Sequence, residues 1–504
     1  MTNAPEPSSS LGARAVRGGL TMLAGNGLMR ILGFLSVSVL GRLLTPEDFG
    51  VVALALVVTG LSEALLNKQF AQALIRMPEA EPEHFDTAFT LTLGFGLTFG
   101  GLVFALSWSI ADFMDSPELG PVLRALSLAP ILDSAANPYF IRFAKGLRFG
   151  RVVQNGLAAR MTSVAAGILA AAQLGNYWAL VIAALTYSIT RVGLTYAMAP
   201  ERPRLSLGRS RELAAFGLWL SGSGALTFAG RKLGVAAIGR VLDTRAAGHY
   251  HLGLELAQMI TTQIGQMLGS VLYPSLSAAN TSPERLAAAY GKAQSVVFGV
   301  MAPLGAGAAL ASNEIVYVVL GPQWTATAEV LRILAPMVAL SGLATGAQAI
   351  VMIHNSNRSL FIRNLTLVGL SIPVTIWAAQ AYGVLGVAAA RGAFAVLNTM
   401  VSLVLAAHLL RMNAAVLQRC ARSAVAVCAM VVAITLVFDS GARFNDFSTA
   451  AASLTAKVVI GAAAFVATLL TTWLAAGKPD GLERILIEGL VKLTRTMGRT
   501  AARP

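Results

Sequence analysis

The side chains of this sequence best placed to do chemistry are charges that interrupt long apolar runs. Arg30 stands midway along the stretch 20 to 40, and Arg231 with Lys232 stand inside 213 to 238. Lys68, Arg160, Arg191 and Arg391 interrupt four further apolar stretches, and Glu63 and Glu255, in the second and eighth apolar runs of the chain, are expected to be the main buried acids. A charge at the centre of a membrane helix costs about 2.5 to 3.5 kcal/mol facing lipid, so these groups are expected to face water or one another. A water-filled cavity lined with cations prefers anions. Phosphate oxygens suit it, because each accepts several charge-assisted hydrogen bonds. Glu63 and Glu255 then read as counter-ions or as proton-coupling groups. Arg160, Arg191 and Arg391 have a plainer alternative, snorkelling or pairing with backbone carbonyls.

The residue sets of enzymes are missing. Gly291 and Lys292 are followed by Ala293 and lack the glycine spacing of a nucleotide-phosphate loop, and no H-E-x-x-H occurs. The five His are scattered; His249 and His251 flank Tyr250 at a predicted helix start, where packing is the expected role. Cys420 and Cys428 share one predicted helix at a spacing unsuited to a disulfide or a structural zinc site. A membrane glycosyltransferase or polymerase would need acidic metal ligands or a large catalytic loop, and the polar breaks are too short for one. The reading is a non-enzyme with no cofactor and no metal.

The elements that position the charges follow from composition. With 56% hydrophobic and 12% charged residues, the chain falls outside the range of soluble domains, as does its mean hydropathy of +0.67. Apolar runs of about 20 residues, enough to cross a hydrocarbon core of about 30 Å, recur with short polar breaks. About fourteen are legible: 20–40, 50–75, 87–111, 121–143, 152–174, 177–199, 213–238, 248–272, 288–311, 328–352, 361–380, 384–410, 420–438 and 452–476. Alternating strands of the barrel type do not occur, so an all-α polytopic membrane protein is expected. Placing the N-terminus in the cytoplasm puts Arg142, Lys145, Arg148, Arg151, Arg202, Arg204, Arg209 and Arg211 on that side, with Glu47, Asp48, Asp112, Asp115 and Glu118 opposite. The net charge of +14 is thus a topology signal and needs no nucleic acid.

A polar corner is written twice, GRLLTPEDFG at 41–50 and GRVLDTRAAG at 239–248. Thr45 and Asp243 are N-cap types, Pro46 suits a first helical position, and Glu47 with Asp48 place negative charge in a first turn. Arg42 recurs as Arg240 and Gly50 as Gly248; Val122-Leu123-Arg124 recurs as Val330-Leu331-Arg332, with Pro130 and Pro336 following. The echoes divide the first spans into parallel repeats of the kind that in transporters enclose a midplane site opened alternately to either side. The expected segments are an N-tail 1–19, repeats 20–199 and 213–410 joined by a basic linker 200–212, a last helix pair 420–476, and a tail 477–504.

The run LGRLLTPEDFGVVALALVVTG with ALIR at 73–76, then AAGHYHLGLELAQM, VLYPSLSA, SPERLAAAYGKA and GPQW, resembles the polysaccharide exporters of the multidrug/oligosaccharidyl-lipid/polysaccharide (MOP) flippase superfamily. The similarity is to their Wzx-like, lipopolysaccharide-biosynthesis branch. It implies two pseudo-symmetric six-helix lobes in a V with two C-terminal helices. It also implies movement of an undecaprenyl-diphosphate-linked oligosaccharide from the cytoplasmic to the periplasmic leaflet of a bacterial inner membrane, alongside a polymerase and glycosyltransferases. Asn67, Lys68, Gln69 and Phe70 depart from the small, Gly-rich patch of relatives, which bears on substrate choice. A small-molecule antiporter of the same superfamily is the alternative reading, and a membrane scaffold for polysaccharide assembly a third. In the tail, Leu482, Ile485, Leu486, Leu490, Leu493 and Met497 follow helical spacing with Lys492, Arg495 and Arg499, as a helix on the cytoplasmic membrane surface would.

Overall fold

A computed structural model describes residues 11–67, 73–75, 77, 80–353, 357–410, 415–438, 444 and 446–477. Among these, no strand occurs and every long element is a helix. The chain divides into two compact units, Met1–Gly248 and His249–Pro504. The seventh predicted span therefore packs with the first six, one helix beyond the repeat boundary read from the sequence.

The first unit holds α1 (Leu11–Leu43), α2 (Pro46–Ser62), α3 (Pro82–Phe113), α4 (Leu119–Leu126), α5 (Leu128–Ser134), α6 (Ile141–Lys145), α7 (Phe149–Leu174), α8 (Trp178–Met198) and α9 (Ser210–Val241). Helix α10 (Thr244–Ala279) starts at its end. The second unit continues with α11 (Pro283–Leu310), α12 (Ser312–Val319), α13 (Thr325–Leu340), α14 (Leu343–Ile353), α15 (Asn357–Leu409), α16 (Ala415–Val437) and α17 (Phe447–Ala475).

Among the described residues, ten helices are long and apolar enough to cross a membrane, or eleven if a bent pair is counted as one span. This is fewer than the sequence count, for identifiable reasons. The fourth predicted span is that bent pair, Leu119–Ser134 and Pro138–Lys145, turned by 58°. Pro138 disfavours helix at the preceding residue, so Asn137 is extended and its side chain accepts from the Tyr139 N–H instead. The eleventh and twelfth predicted spans form one apolar run, Ile362–Leu409, of 48 residues. At about 1.5 Å per residue that is more than twice the hydrocarbon thickness. It is broken at Gly383, whose φ of 60° and ψ of −144° are open to glycine and not to other residues. Helices α9 and α10, of 32 and 36 residues, have the length for a span but are not among the ten.

The doubled corner folds as its residue types dictate. Thr45 caps α2: its Oγ1 accepts from the Asp48 N–H while the Asp48 carboxylate accepts from the Thr45 N–H at 2.9 Å, a reciprocal capping box. In the second copy the Asp243 carboxylate accepts from the Ala246 N–H at 2.6 Å. The two copies also meet. A Cβ on Gly50 would fall on the Thr244 carbonyl and one on Gly248 on the Pro46 carbonyl, so backbone touches backbone only because both positions are glycine. The second echo is core in each unit: Val122, Leu123, Val330 and Leu331 are fully buried.

Candidate functional site

Helices α1 and α7 approach closely through glycines. Gly18, Gly25 and Gly33 on α1 lie under Phe149, Val153 and the Arg160 guanidinium of α7, and Gly156 of α7 lies under Met29. This is the small-residue packing expected where hydrophobic drive between helices is weak. Arg30 is exposed and stands three residues before Gly33, hence on the same helix face. The Arg160 guanidinium rests where a Gly33 side chain would be, about one helical turn along α1 from the Arg30 backbone.

The next helix carries the third. Arg191 of α8 pairs with Asp133 of α5 at 2.7 Å, with side chains 31% and 20% exposed. The guanidinium lies 5.7 Å from the Tyr187 ring centroid and feels the charge of Glu63. Its Nε is buried without a hydrogen-bond partner. Asn155 of α7 donates to the Arg191 carbonyl at 3.1 Å and Ser163 to that of Ala183 at 2.8 Å, fixing α8 against α7. Asp133 was not singled out in the sequence, because it sits in the span broken at Asn137. Arg191 thus takes a carboxylate where the sequence suggested a carbonyl.

Glu63 is exposed, not buried as expected, and opens a π-helical turn, Glu63–Asn67, that ends α2. Such turns are uncommon and concentrate at functional positions. On α9, which packs on α2 and this turn, Arg231 is exposed and Lys232 half-buried. Lys68 lies outside the described residues, as do Gln69, Phe70 and the tail from 478. Both corner arginines, Arg42 and Arg240, are exposed; Arg240 lies over the Phe113 ring at 5.4 Å.

In the second unit Arg391 is half-buried on α15, with its Nε lacking a hydrogen-bond partner. Glu255 is half-buried and faces His251, one turn earlier, at 3.4 Å. His249 is buried, 2.9 Å from the Thr327 hydroxyl and edge-on to Trp324, in the packing role expected of it. Among the described residues, the most deeply buried acid is another one. Glu314 of α12 pairs with Lys457 of α17 at 2.6 Å, with side chains only 1% and 4% exposed. Ser453 donates to the same carboxylate oxygen at 3.1 Å, and Lys457 donates to the Leu310 carbonyl at 3.0 Å. The sequence signal for it was a lone Lys in one apolar run and a lone Glu just after another.

These observations place five predicted cations in the first unit, on α1, α7, α8 and α9. Comparison with known proteins shows what kind of chain carries them. The model of a family described as polysaccharide biosynthesis protein matches residues 39–329, more than half of the 504. The chain belongs to that family. Among its relatives, the lipopolysaccharide biosynthesis protein WzxC of Escherichia coli (strain K12) is 24% identical over 388 residues, 74% of this chain and 76% of its own. The succinoglycan biosynthesis transport protein ExoT of Rhizobium meliloti (strain 1021) is 25% identical over 307 residues, 60% of this chain and 62% of its own. In fold, this member of the family resembles the lipid II flippase MurJ in an inward closed conformation, with TM-score 0.76 over 91% of this chain and 99% of that one at 10% identity. It also resembles an inward-facing multidrug resistance MATE transporter of the MOP superfamily, with TM-score 0.56 over 76% and 96% at 13% identity. The resemblance read from the sequence motifs is thereby borne out.

Proposed function

We propose that the chain flips an undecaprenyl-diphosphate-linked oligosaccharide from the cytoplasmic to the periplasmic leaflet of a bacterial inner membrane, for exopolysaccharide or lipopolysaccharide biosynthesis. The observation that carries this reading is the family match over residues 39–329, with a lipopolysaccharide biosynthesis protein and a succinoglycan transport protein among the relatives. The likeness to a lipid II flippase supports it. In this reading the helices amount to about fourteen spans, two repeats of about six and a last pair, with both termini cytoplasmic. Counting the arms on either side of Gly383 separately, and including α9 and α10, supports that number.

Arg30, Arg160, Arg231, Lys232 and Lys68 hold the diphosphate, and Arg391 is the cation that the second unit offers it. Arg191 exchanges Asp133 for phosphate as the substrate passes, and access alternates between the two sides. Exposed cations at membrane depth need water beside them, which a passage for a charged headgroup supplies. With the cytoplasm negative, each negative charge moved outward across the full field is favoured by about 2.3 kcal/mol per 100 mV. A polymerase and glycosyltransferases of the same assembly are the expected partners. An antiporter for organic cations would instead place unpaired acids along this route. The test is to compare lipid-linked oligosaccharides in cells with and without the chain. Loss of the chain should leave the lipid-linked unit on the cytoplasmic leaflet; an unchanged leaflet distribution together with altered drug tolerance would point to the antiporter.

A further inference from the structure

The connection between α8 and α9 is bound along the start of α3. The Arg204 N–H donates to Asp86 at 3.0 Å, the Ser206 N–H to the Thr90 hydroxyl at 2.9 Å and the Arg209 N–H to the Thr87 hydroxyl at 3.4 Å. The Arg209 guanidinium reaches Glu81 at 2.9 Å, Glu212 at 3.1 Å and Glu83 at 3.4 Å. Upstream, Asn137 donates to the Glu201 carbonyl at 2.8 Å, and Arg142 pairs with the Glu201 carboxylate at 2.7 Å. His84 accepts from the Glu81 N–H through Nδ1 at 3.2 Å, which leaves Nε2 to donate to Glu212 at 3.3 Å. The hydrogen bond from Arg209, then that from His84, holds the Glu212 carboxyl below its ordinary pKa.

One side of the segment is thus consumed by α3. The other presents Leu205 and Leu207, which are 74% and 60% exposed, among the exposed Arg202, Arg204 and Arg211. Neither leucine belongs to a spanning helix, so the lipid-facing side of a span does not account for them. Their level does. The segment follows the end of the span Trp178–Met198 and is bonded to the first turns of the span Pro82–Phe113, which sets it at the boundary between hydrocarbon and headgroups. Charge says which headgroups. Of the acids of this region, Glu201 is held by Arg142, Glu81, Glu83 and Glu212 share Arg209, and Asp86 accepts from the Arg204 N–H and the Tyr139 hydroxyl. Residues 201–211 themselves carry four arginines against one glutamate, and the exposed Arg202, Arg204 and Arg211 give the outward side of the segment a positive character.

We propose that residues 201–211 form an interfacial anchor in which Leu205 and Leu207 enter the acyl region while Arg202, Arg204 and Arg211 bind anionic lipid headgroups. A hydrogen-bonded backbone lets the leucines insert without first losing chain entropy, and the arginines add attraction to an anionic surface. The test uses the full chain with Cys420→Ala and Cys428→Ala, carrying Leu207→Cys labelled with an environment-sensitive fluorophore. It is reconstituted in phosphatidylcholine vesicles with or without phosphatidylglycerol. With phosphatidylglycerol, brominated-tail lipids should quench the label and aqueous iodide should not. Without it, or after Arg202→Gln, Arg204→Gln and Arg211→Gln together, bromolipid quenching should fall at least about fivefold, the equivalent of about 1 kcal/mol. A label at Leu436, a lipid-facing residue of α16, should stay quenched throughout and reports intact insertion. Iodide quenching at residue 207 in phosphatidylglycerol vesicles would overturn the anchor and make the leucines a docking surface for a protein. Equal bromolipid quenching in both vesicles would overturn headgroup recognition.

Discussion

Asp133 with Arg191 in the first unit, and Glu314 with Lys457 in the second, bring similar charges together under different cover. The first pair is open on one side, adjoins Tyr187, and feels Glu63 at the π-helical turn. The second is sealed: Lys457 spends hydrogen bonds on Glu314 and on the Leu310 carbonyl, and Ser453 adds a donor to the carboxylate. An ion pair closed off from water cannot exchange its partner without unpacking α12 from α17. One open to its surroundings can. The open pair can therefore take part in moving an anion, whereas the closed one fastens the last helix pair to its unit.

The largest effect should come from breaking the closed pair. Lys457→Ala leaves the Glu314 carboxylate buried and uncompensated and should destabilise by about 3 to 5 kcal/mol, read as a lowered unfolding midpoint in detergent. Glu314→Leu with Lys457→Met together should restore most of that loss, since apolar replacement of a whole buried pair is often neutral. If the double variant is as unstable as the single one, the pair does more than fasten.

Arg191→Ala should behave in the opposite way. The pair is partly exposed, with side chains 31% and 20% open, so the unfolding midpoint should fall less than for Lys457→Ala while transport at equal abundance falls sharply. Asp133→Asn should keep the fold and free the guanidinium, tightening substrate capture and slowing release. A smaller change at Gly33 sharpens the contrast. Gly33→Ala occupies the space of the Arg160 guanidinium, the mobile end of a flexible side chain. Stability should rise or fall by less than about 1 kcal/mol, because alanine favours the helix as the guanidinium shifts. Transport should slow measurably, and an unchanged rate would remove Arg160 from the route.

Which of these features could be read beforehand follows from their range. The Thr45 cap and the start of α2 are local, and four residues specify them. The bend at Asn137-Pro138 was equally local but was hidden by counting apolar residues alone. Gly50 and Gly248 stand out as an echo, yet their contact is tertiary and brings together residues almost two hundred positions apart. Hydropathy misjudged Glu63 because it reports depth along a span and is silent about which face of the helix a neighbour covers. Glu314 escaped for the complementary reason: it lies in a short helix after a span, and its partner is 143 residues away. The cations were legible because each stands alone in an apolar run, but their partners were not.

We propose that cations of the first unit, Arg30, Arg231 and Lys232 among them, carry a diphosphate-linked glycan across the membrane. The most direct test of this claim is the leaflet distribution of lipid-linked oligosaccharide in cells carrying Arg30→Ala, or Arg231→Ala with Lys232→Ala, at equal membrane abundance. Both variants should insert normally and accumulate the lipid-linked unit on the cytoplasmic leaflet, while Arg30→Lys keeps part of the activity because the charge survives without the guanidinium fork. Normal export by Arg30→Ala and by the double variant would contradict the claim.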